Sequence, residues 1–221
     1  MIDIIIPTVG RPDRLAGLVD NIAANTMSDH TVTFVTEVWD EATISAVDAL
    51  GLIAVVNDLT ENYSGAMNTA YGAGDADFLF AGADDLIFHP GWDEACLARF
   101  DGWCGVVGTN DLLNPFVLAG AHSTHSMVAR WYLDDIGGVV DLGPGSFLPE
   151  MYDHNFSDTE FIGTAKMRAR FRPCLEAVVE HVHVSTGRAP ADATHQRSMR
   201  AFYSDAELYE DRRELWFRIS R

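Results

Sequence analysis

Positive charge and thiols are both scarce in this sequence, and each scarcity narrows the chemistry. The 221 residues carry 15 Lys and Arg against 33 Asp and Glu, a formal charge of −18. A surface of that sign is repelled by phosphate backbones, so general nucleic-acid binding is disfavoured unless basic residues are segregated. Lys166 to Arg172 form one basic group and Arg188 to Arg221 a looser one; both read as solvated faces and salt bridges, with one or two residues left to face a phosphate. The three cysteines, Cys96, Cys104 and Cys174, are an odd number without CxxC spacing, which argues for reduced, packed thiols and against a zinc cluster or disulfide framework. No run approaches the ~18 apolar residues of a membrane span. The chain opens directly on Ile2-Asp3-Ile4-Ile5-Ile6 with no basic or apolar leader, so a cytoplasmic protein is expected. Neither a GxxxxGK[ST] phosphate loop nor a GxSxG elbow occurs, and Gly72-Ala73-Gly74 lacks the third glycine and following helix of a dinucleotide site.

What is present is a 48% hydrophobic chain in which strand-like and helix-like segments alternate. Ile2 to Ile6 is a β-branched run broken at Pro7-Thr8-Val9-Gly10, and Pro12 suits a first helical turn. Leu15, Leu18, Val19 and Ile22 then recur at helical spacing. Strands are predicted at 31–38, 52–57 and 78–81, with helices at 41–50, 64–71 and 90–100. Further strands are expected at 105–108, 116–119 and 175–184, and helices around 128–135, over 159–169 and within 192–218. Gly- and Pro-rich 139–155 reads as a loop. This alternation predicts a single α/β domain with a mixed, mostly parallel sheet flanked by helices and a helical C-terminal tail.

The most informative stretch is Phe78-Leu79-Phe80-Ala81-Gly82-Ala83-Asp84-Asp85, an apolar strand running into two carboxylates. Carboxylates where a buried strand leaves the sheet lie where open α/β sheets bind ligands. Two adjacent acids repel unless a cation sits between them, and hard oxygen donors suit Mg²⁺ or Mn²⁺ carrying phosphates. An Asp-Asp turn opening a loop is the competing reading.

The order of motifs resembles the nucleotide-sugar domain of GT-A glycosyltransferases of the family 2 type. The residues that carry this are the first strand with Pro7-Thr8-x-Gly10-Arg11, Gly65-x-x-Asn68 on a helix, and the strand ending in Asp84-Asp85 with Pro90 beyond. Ile136-Gly137-Gly138 and then Phe156-Ser157-Asp158-Thr159-Glu160-Phe161 are similar to the acceptor half, and His181-Val182-His183 to a later strand that supplies a metal ligand. The resemblance runs from about residue 2 to 184, and implies a catalytic domain over 1–184, divided into a nucleotide-sugar half (1–100) and an acceptor half (101–184). Residues 185–221 would be a helical extension. One departure stands out: the family's Asp-x-Asp has Gly82 at its first position here.

The resemblance implies a metal-dependent inverting glycosyltransferase acting on a nucleotide-diphosphate sugar, with Mn²⁺ or Mg²⁺ as cofactor and an acceptor left open. Asp84 is expected to hold the metal, with Asp85 as a second ligand or a turn cap. His183 completes the site, and His181 shares its face. Asp158 is the expected base and Glu160 the fallback, with helix capping as the alternative for Asp158. Donor contacts are expected from Pro7, Thr8, Gly10, Arg11, Glu37, Asn57, Gly65, Asn68, Ala83 and Asp84. Arg188 joins them as a diphosphate partner or forms a loop salt bridge. A plain turn at Gly10 and a polar helix position at Asn68 are the simpler alternatives. His122 and His125 read as surface residues, with an acceptor contact as the second option, and the five tryptophans read as core. Competing functions are a nucleotidyltransferase or pyrophosphatase, and a non-catalytic nucleotide-sugar binder.

Overall fold

The computed structural model describes residues 1–182, 184 and 193–219. Strands β1 (Ile2–Pro7), β2 (His30–Thr36), β3 (Ala54–Val56) and β4 (Phe78–Ala81) form a parallel block. They are joined by a 3-10 turn (Pro12–Arg14) leading into α1 (Leu15–Asn25), by α2 (Glu41–Ala49) and by α3 (Tyr63–Ala73). The second half contributes β5 (Leu86–Phe88), α4 (Trp92–Leu97), β6 (Val106–Asn110), α5 (Pro115–Leu118), β7 (Ser126–Ala129), α6 (Arg130–Asp135), α7 (Ser157–Met167) and β8 (Phe171–His181). Helix α8 (Ala193–Ile219) closes the chain. Among the described residues the strands make an eight-stranded sheet in the order β3-β2-β1-β4-β7-β6-β8-β5. β7 runs antiparallel to β4 and β6, and β5 antiparallel to β8; the other pairings are parallel.

Strand alternation splits the apolar side chains into two layers. Ile4, Ile6, Phe80, Val107 and Met127 face a core completed by α1 and α4, whereas Ile5, Leu79, Ala81, Val106 and Val128 face one completed by α3, α6 and α7. In the first layer Trp92 packs edge-on against Phe80 and Phe88, with ring centroids 4.7 and 5.0 Å away. Each such pair adds about 1 kcal/mol beyond the area it buries. Among the described residues no helix is long and apolar enough to cross a membrane.

Several elements differ from the sequence expectation. The apolar run at 116–119 is helical, because Pro115 sits at its first turn and the Asn114 side chain accepts the Phe116 N–H. Residues 126–129 form a fully buried strand rather than the start of a helix, which begins only at Arg130. β5 was not anticipated. Its C-terminal end is held by Asn21 of α1, which accepts the Phe88 N–H at 2.7 Å and donates to the Phe88 carbonyl at 3.2 Å. Trp92 is core as expected, but Trp39 and Trp103 are 58% and 57% exposed.

Helix α8 is anchored onto α7 and the loop before it. Arg212 donates to both oxygens of the fully buried Glu160, at 2.7 Å each, and to Asp141. Asp205 accepts the backbone N–H groups of Asp153, His154 and Asn155 at 3.0, 3.0 and 2.8 Å.

Candidate active site

The carboxyl ends of β1 to β4 and β8 lie at one edge of the sheet, and β7, running the other way, begins there. That edge collects most of the residues singled out in the sequence. β1 ends at Pro7, and Thr8 continues it by donating its N–H to Val35 at 2.8 Å. Gly10 turns the chain with φ +68°, and its N–H is received by Asp40 at 2.6 Å. Asp40 caps α2 as well, through the Thr43 N–H. It is a structural support of this loop that sequence reasoning missed, although Asp before a helical run is a recognisable cap.

Asp84 and Asp85 occupy different environments. Asp84 is buried, with Oδ2 accepting from Thr8 Oγ1 at 2.8 Å and Oδ1 facing the Arg11 guanidinium; Arg14 stands 3.6 Å from the same oxygen. Burial pushes its carboxyl up, only partly offset by Arg11 and Thr8. Both oxygens are therefore engaged within the protein, and the expectation that Asp84 is the principal metal ligand is revised. Oδ1 of Asp85, by contrast, is buried and receives no hydrogen bond of ordinary geometry. His181 Nε2 lies 3.5 Å away, at the outer limit of such a bond. Burial opposes ionisation of Asp85, yet His181 and then the charges around it outweigh that and hold the carboxyl at about 2. An ionised, buried, under-coordinated oxygen is a fitting cation ligand.

His125 is a second correction. It is buried rather than at the surface, Nδ1 pairs with the Ala81 carbonyl at 2.9 Å, and Nε2 is buried with no partner. With Nδ1–H donating to the carbonyl, Nε2 presents its lone pair; burial and then the neighbouring His181 push the imidazole down to about 4, so it is neutral at neutral pH. Its ring packs edge-on to His181 with centroids 5.2 Å apart. Among the described residues no group of three His, Cys, Asp or Glu side chains stands ready-made as a metal site. Even so, the buried orphan atoms of Asp85 and His125 beside His181 suit a divalent ion whose remaining ligands come from elsewhere. His183 and Arg188, expected respectively as a metal ligand and a donor contact, lie outside the described residues.

Gly82 explains the departure from Asp-x-Asp. A Cβ there would stand 2.8 Å from the Ile5 carbonyl oxygen and 2.6 Å from Ile6 Cδ1, so no side chain fits where β4 leaves the sheet. Ala83 packs against the first core layer. Tyr63 of α3 donates its hydroxyl to the Gly82 carbonyl at 3.2 Å, and its phenol is pushed up by burial and then by the charges of Asp158 and Asp85. It thus lies close enough to both Asp85 and Asp158 to feel their charges.

Asp158 is in the first turn of α7, where its Oδ1 accepts the Thr159 N–H at 2.7 Å. His122 Nε2 faces its Oδ2 at 3.2 Å, so His122 is not an isolated surface residue. Glu160 has no exposed surface, and Arg212 and the Tyr152 hydroxyl occupy its carboxylate. It locks helices together and does not reach the cleft, which removes it as a fallback base.

At the far side Glu37 is buried and accepts from Asn57 Nδ2 at 2.9 Å. Asn57 is further engaged by Thr60, Leu59 and Thr69. Gly65 and Asn68 serve packing. A Cβ on Gly65 would meet the Thr60 carbonyl oxygen at 2.0 Å. Asn68 clasps the Leu148 backbone through both its N–H and carbonyl and also donates to Glu150. With both amide N–H groups engaged, Asn68 clamps the 148–150 loop and is not positioned as a reader of a base edge.

No family model and no curated protein matches the sequence. Solved structures do match. The mannosyltransferase PcManGT from Pyrobaculum calidifontis, in complex with GDP-Man and Mn²⁺, superposes with a TM-score of 0.65 at 17% identity, over 91% of this chain and 61% of that one. Glucosyl-3-phosphoglycerate synthase from Mycobacterium tuberculosis, in complex with Mn²⁺, UDP-Glc and phosphoglyceric acid, gives 0.63 at 12% identity, over 91% and 77%. This chain spans about three fifths of the length of the mannosyltransferase. Its architecture is accordingly that of a GT-A-like glycosyltransferase fold, as the order of its motifs implied.

Proposed function

We propose that this protein is a metal-dependent inverting glycosyltransferase that moves a sugar from a nucleotide-diphosphate donor to an acceptor hydroxyl. The observation that carries the reading is Asp85, whose ionised, buried Oδ1 is met only by a long 3.5 Å contact from His181 Nε2 at the ligand-binding edge of a GT-A-like sheet. The solved neighbours hold Mn²⁺ with GDP-Man or UDP-Glc at that fold.

Asp85 would hold the ion, with His181 and His125 at hand and His183 as expected from the sequence. A bound divalent ion neutralises the charge that grows on a departing diphosphate. The chain's own residues bind and orient around it. Arg11 and Arg14, fixed by Asp84, bring guanidinium charge to the end of β1, where the diphosphate is expected. The positive-φ turn at Gly10 lets backbone approach the donor, and Glu37 at the end of β2 offers a carboxylate to a base or ribose. Inversion requires the acceptor to attack from the face opposite the diphosphate while it loses a proton, and Asp158 with His122, which shares the neighbourhood of Tyr63 with Asp85, is the candidate for that step. Residues 1–184 would be the catalytic domain, with α8 as an extension packed on it, acting inside the cell.

The test is incubation with UDP-glucose and with GDP-mannose, with and without Mn²⁺. Release of nucleoside diphosphate only with Mn²⁺ supports the reading. Nucleoside monophosphate would instead identify a pyrophosphatase, and tight binding without turnover a non-catalytic binder.

A further inference from the structure

The acceptor side of the site holds two groups able to take a proton, and they differ in what their atoms are already doing. Oδ1 of Asp158 accepts from the Thr159 N–H at 2.7 Å and from the Thr159 hydroxyl at 3.2 Å, while Oδ2 faces His122 Nε2 at 3.2 Å. Burial would raise this carboxyl, but the His122 hydrogen bond and charge, then Thr159 and His125, hold it below the usual carboxylate range. With Oδ1 taken by Thr159 and Oδ2 facing His122 Nε2, both oxygens are already engaged and aim a partner.

His122 has the complementary state. Nε2 meets Asp158, which assigns the proton to that nitrogen, and Nδ1 has no hydrogen-bond partner among the described residues. The side chain is 14% exposed, so it is not sealed from solvent. Its loop is fixed from α7, where Lys166 Nζ donates to the Ala121 carbonyl at 2.8 Å. Asp158 lines a small cavity with Tyr63, Ala81 and Ser123, between β4 and the loop that carries His122. The charged and titratable groups around the pair are Asp158 and Lys166 of α7, His125 of the same loop, Tyr63 of α3 and Tyr209 of α8.

We propose that His122 is the catalytic base of this site, and that Asp158 positions it. This rests on the glycosyl-transfer reading above and deepens it. In the step, the acceptor O–H proton passes to His122 Nδ1 as the acceptor oxygen forms its bond to the anomeric carbon. The bond from that carbon to the diphosphate oxygen breaks, and its electron pair leaves on the diphosphate. Asp158 holds the Nε2–H and balances the imidazolium, the arrangement by which a carboxylate makes a histidine an effective base.

The experiment measures Mn²⁺-dependent release of nucleoside diphosphate from UDP-glucose and GDP-mannose, with water as the acceptor, as a function of pH. His122→Gln and His122→Asn are expected to lower kcat about 100-fold or more with donor KM unchanged, and to flatten the rising limb of kcat against pH. Asp158→Ala is expected to lower kcat while keeping that limb in its residual rate. Exogenous imidazole should restore turnover to His122→Gly and not to Asp158→Ala. Nitrogen-15 NMR should show His122 as a single Nε2–H tautomer in the native protein and a mixture in Asp158→Ala, a readout that needs no turnover. A His122→Gln enzyme that keeps kcat within about threefold, against the 10²–10⁴ expected of a base, would overturn the proposal and return the role to Asp158. Failure of the native protein to turn over either donor contradicts the transferase reading itself, and the base assignment falls with it.

Discussion

Asp84 and Asp85 are neighbours in the chain, yet one carboxylate is enclosed by Thr8, Arg11 and Arg14 while the other keeps a buried oxygen met only by a long 3.5 Å contact from His181. Side chains of adjacent residues leaving a strand diverge, so the pair divides its labour: Asp84 fixes the arginines and Asp85 remains open to a ligand.

This division predicts unequal mutational signatures. Asp84→Ala leaves the Arg11 guanidinium buried without its carboxylate. The intact pair adds little net stability, as the raised Asp84 carboxyl indicates, but removing one partner is expected to cost about 3 kcal/mol. Asp85→Asn gives up a carboxylate that its surroundings hold ionised, so it is expected to cost less, about 1–2 kcal/mol at neutral pH. Urea denaturation of the two variants measures the contrast.

Restoring the family's Asp-x-Asp pattern is predicted to harm the protein. Gly82→Asp places a Cβ 2.8 Å from the Ile5 carbonyl oxygen, and β1 cannot yield without disturbing both core layers. A loss of about 2 kcal/mol or more is expected, read as a lower midpoint in thermal unfolding.

Much of the nucleotide half was legible, for physical reasons. β1, apart from its buried Asp3, and β4 are apolar runs, and a charge pair at the end of a two-faced buried strand can emerge only at the sheet edge. The partition between Asp84 and Asp85 was not legible, because it depends on Arg14 and Thr8 arriving from another strand end. His125 was misread for the same reason: its loop is polar in sequence, but the antiparallel pairing of β7 with β4 draws it under the Ala81 carbonyl. Asn68 and Glu160 show the converse. Their types and spacing suit ligand chemistry, and only long-range partners, Leu148 and Arg212, reveal that they clamp the fold.

Acid should weaken the anchoring of α8. Burial opposes ionisation of Asp205, but three backbone N–H groups outweigh it, so its folded pKa lies below the unfolded value of about 3.9. The unfolded state then binds the proton more readily, and the contribution is fully present above about pH 4 and lost as pH falls through the folded value. Asp205→Asn should lower neutral-pH stability by about 1–3 kcal/mol and flatten the acid limb of a stability–pH curve.

The Arg212–Glu160 contact predicts strong coupling between α7 and α8. Arg212→Met alone leaves Glu160 charged and fully buried and is expected to cost about 3–5 kcal/mol. Adding Glu160→Leu should recover much of that loss, and a double-mutant cycle by chemical denaturation gives the coupling directly.

The central claim is that Asp85 is the residue through which a divalent ion ties a nucleotide to this sheet edge, and calorimetric titration tests it most directly. Native protein titrated with UDP-glucose or GDP-mannose is predicted to bind more tightly with Mn²⁺ than without, and Asp85→Asn is predicted to lose that Mn²⁺ dependence while remaining folded. Undiminished Mn²⁺-dependent affinity in Asp85→Asn would contradict the account.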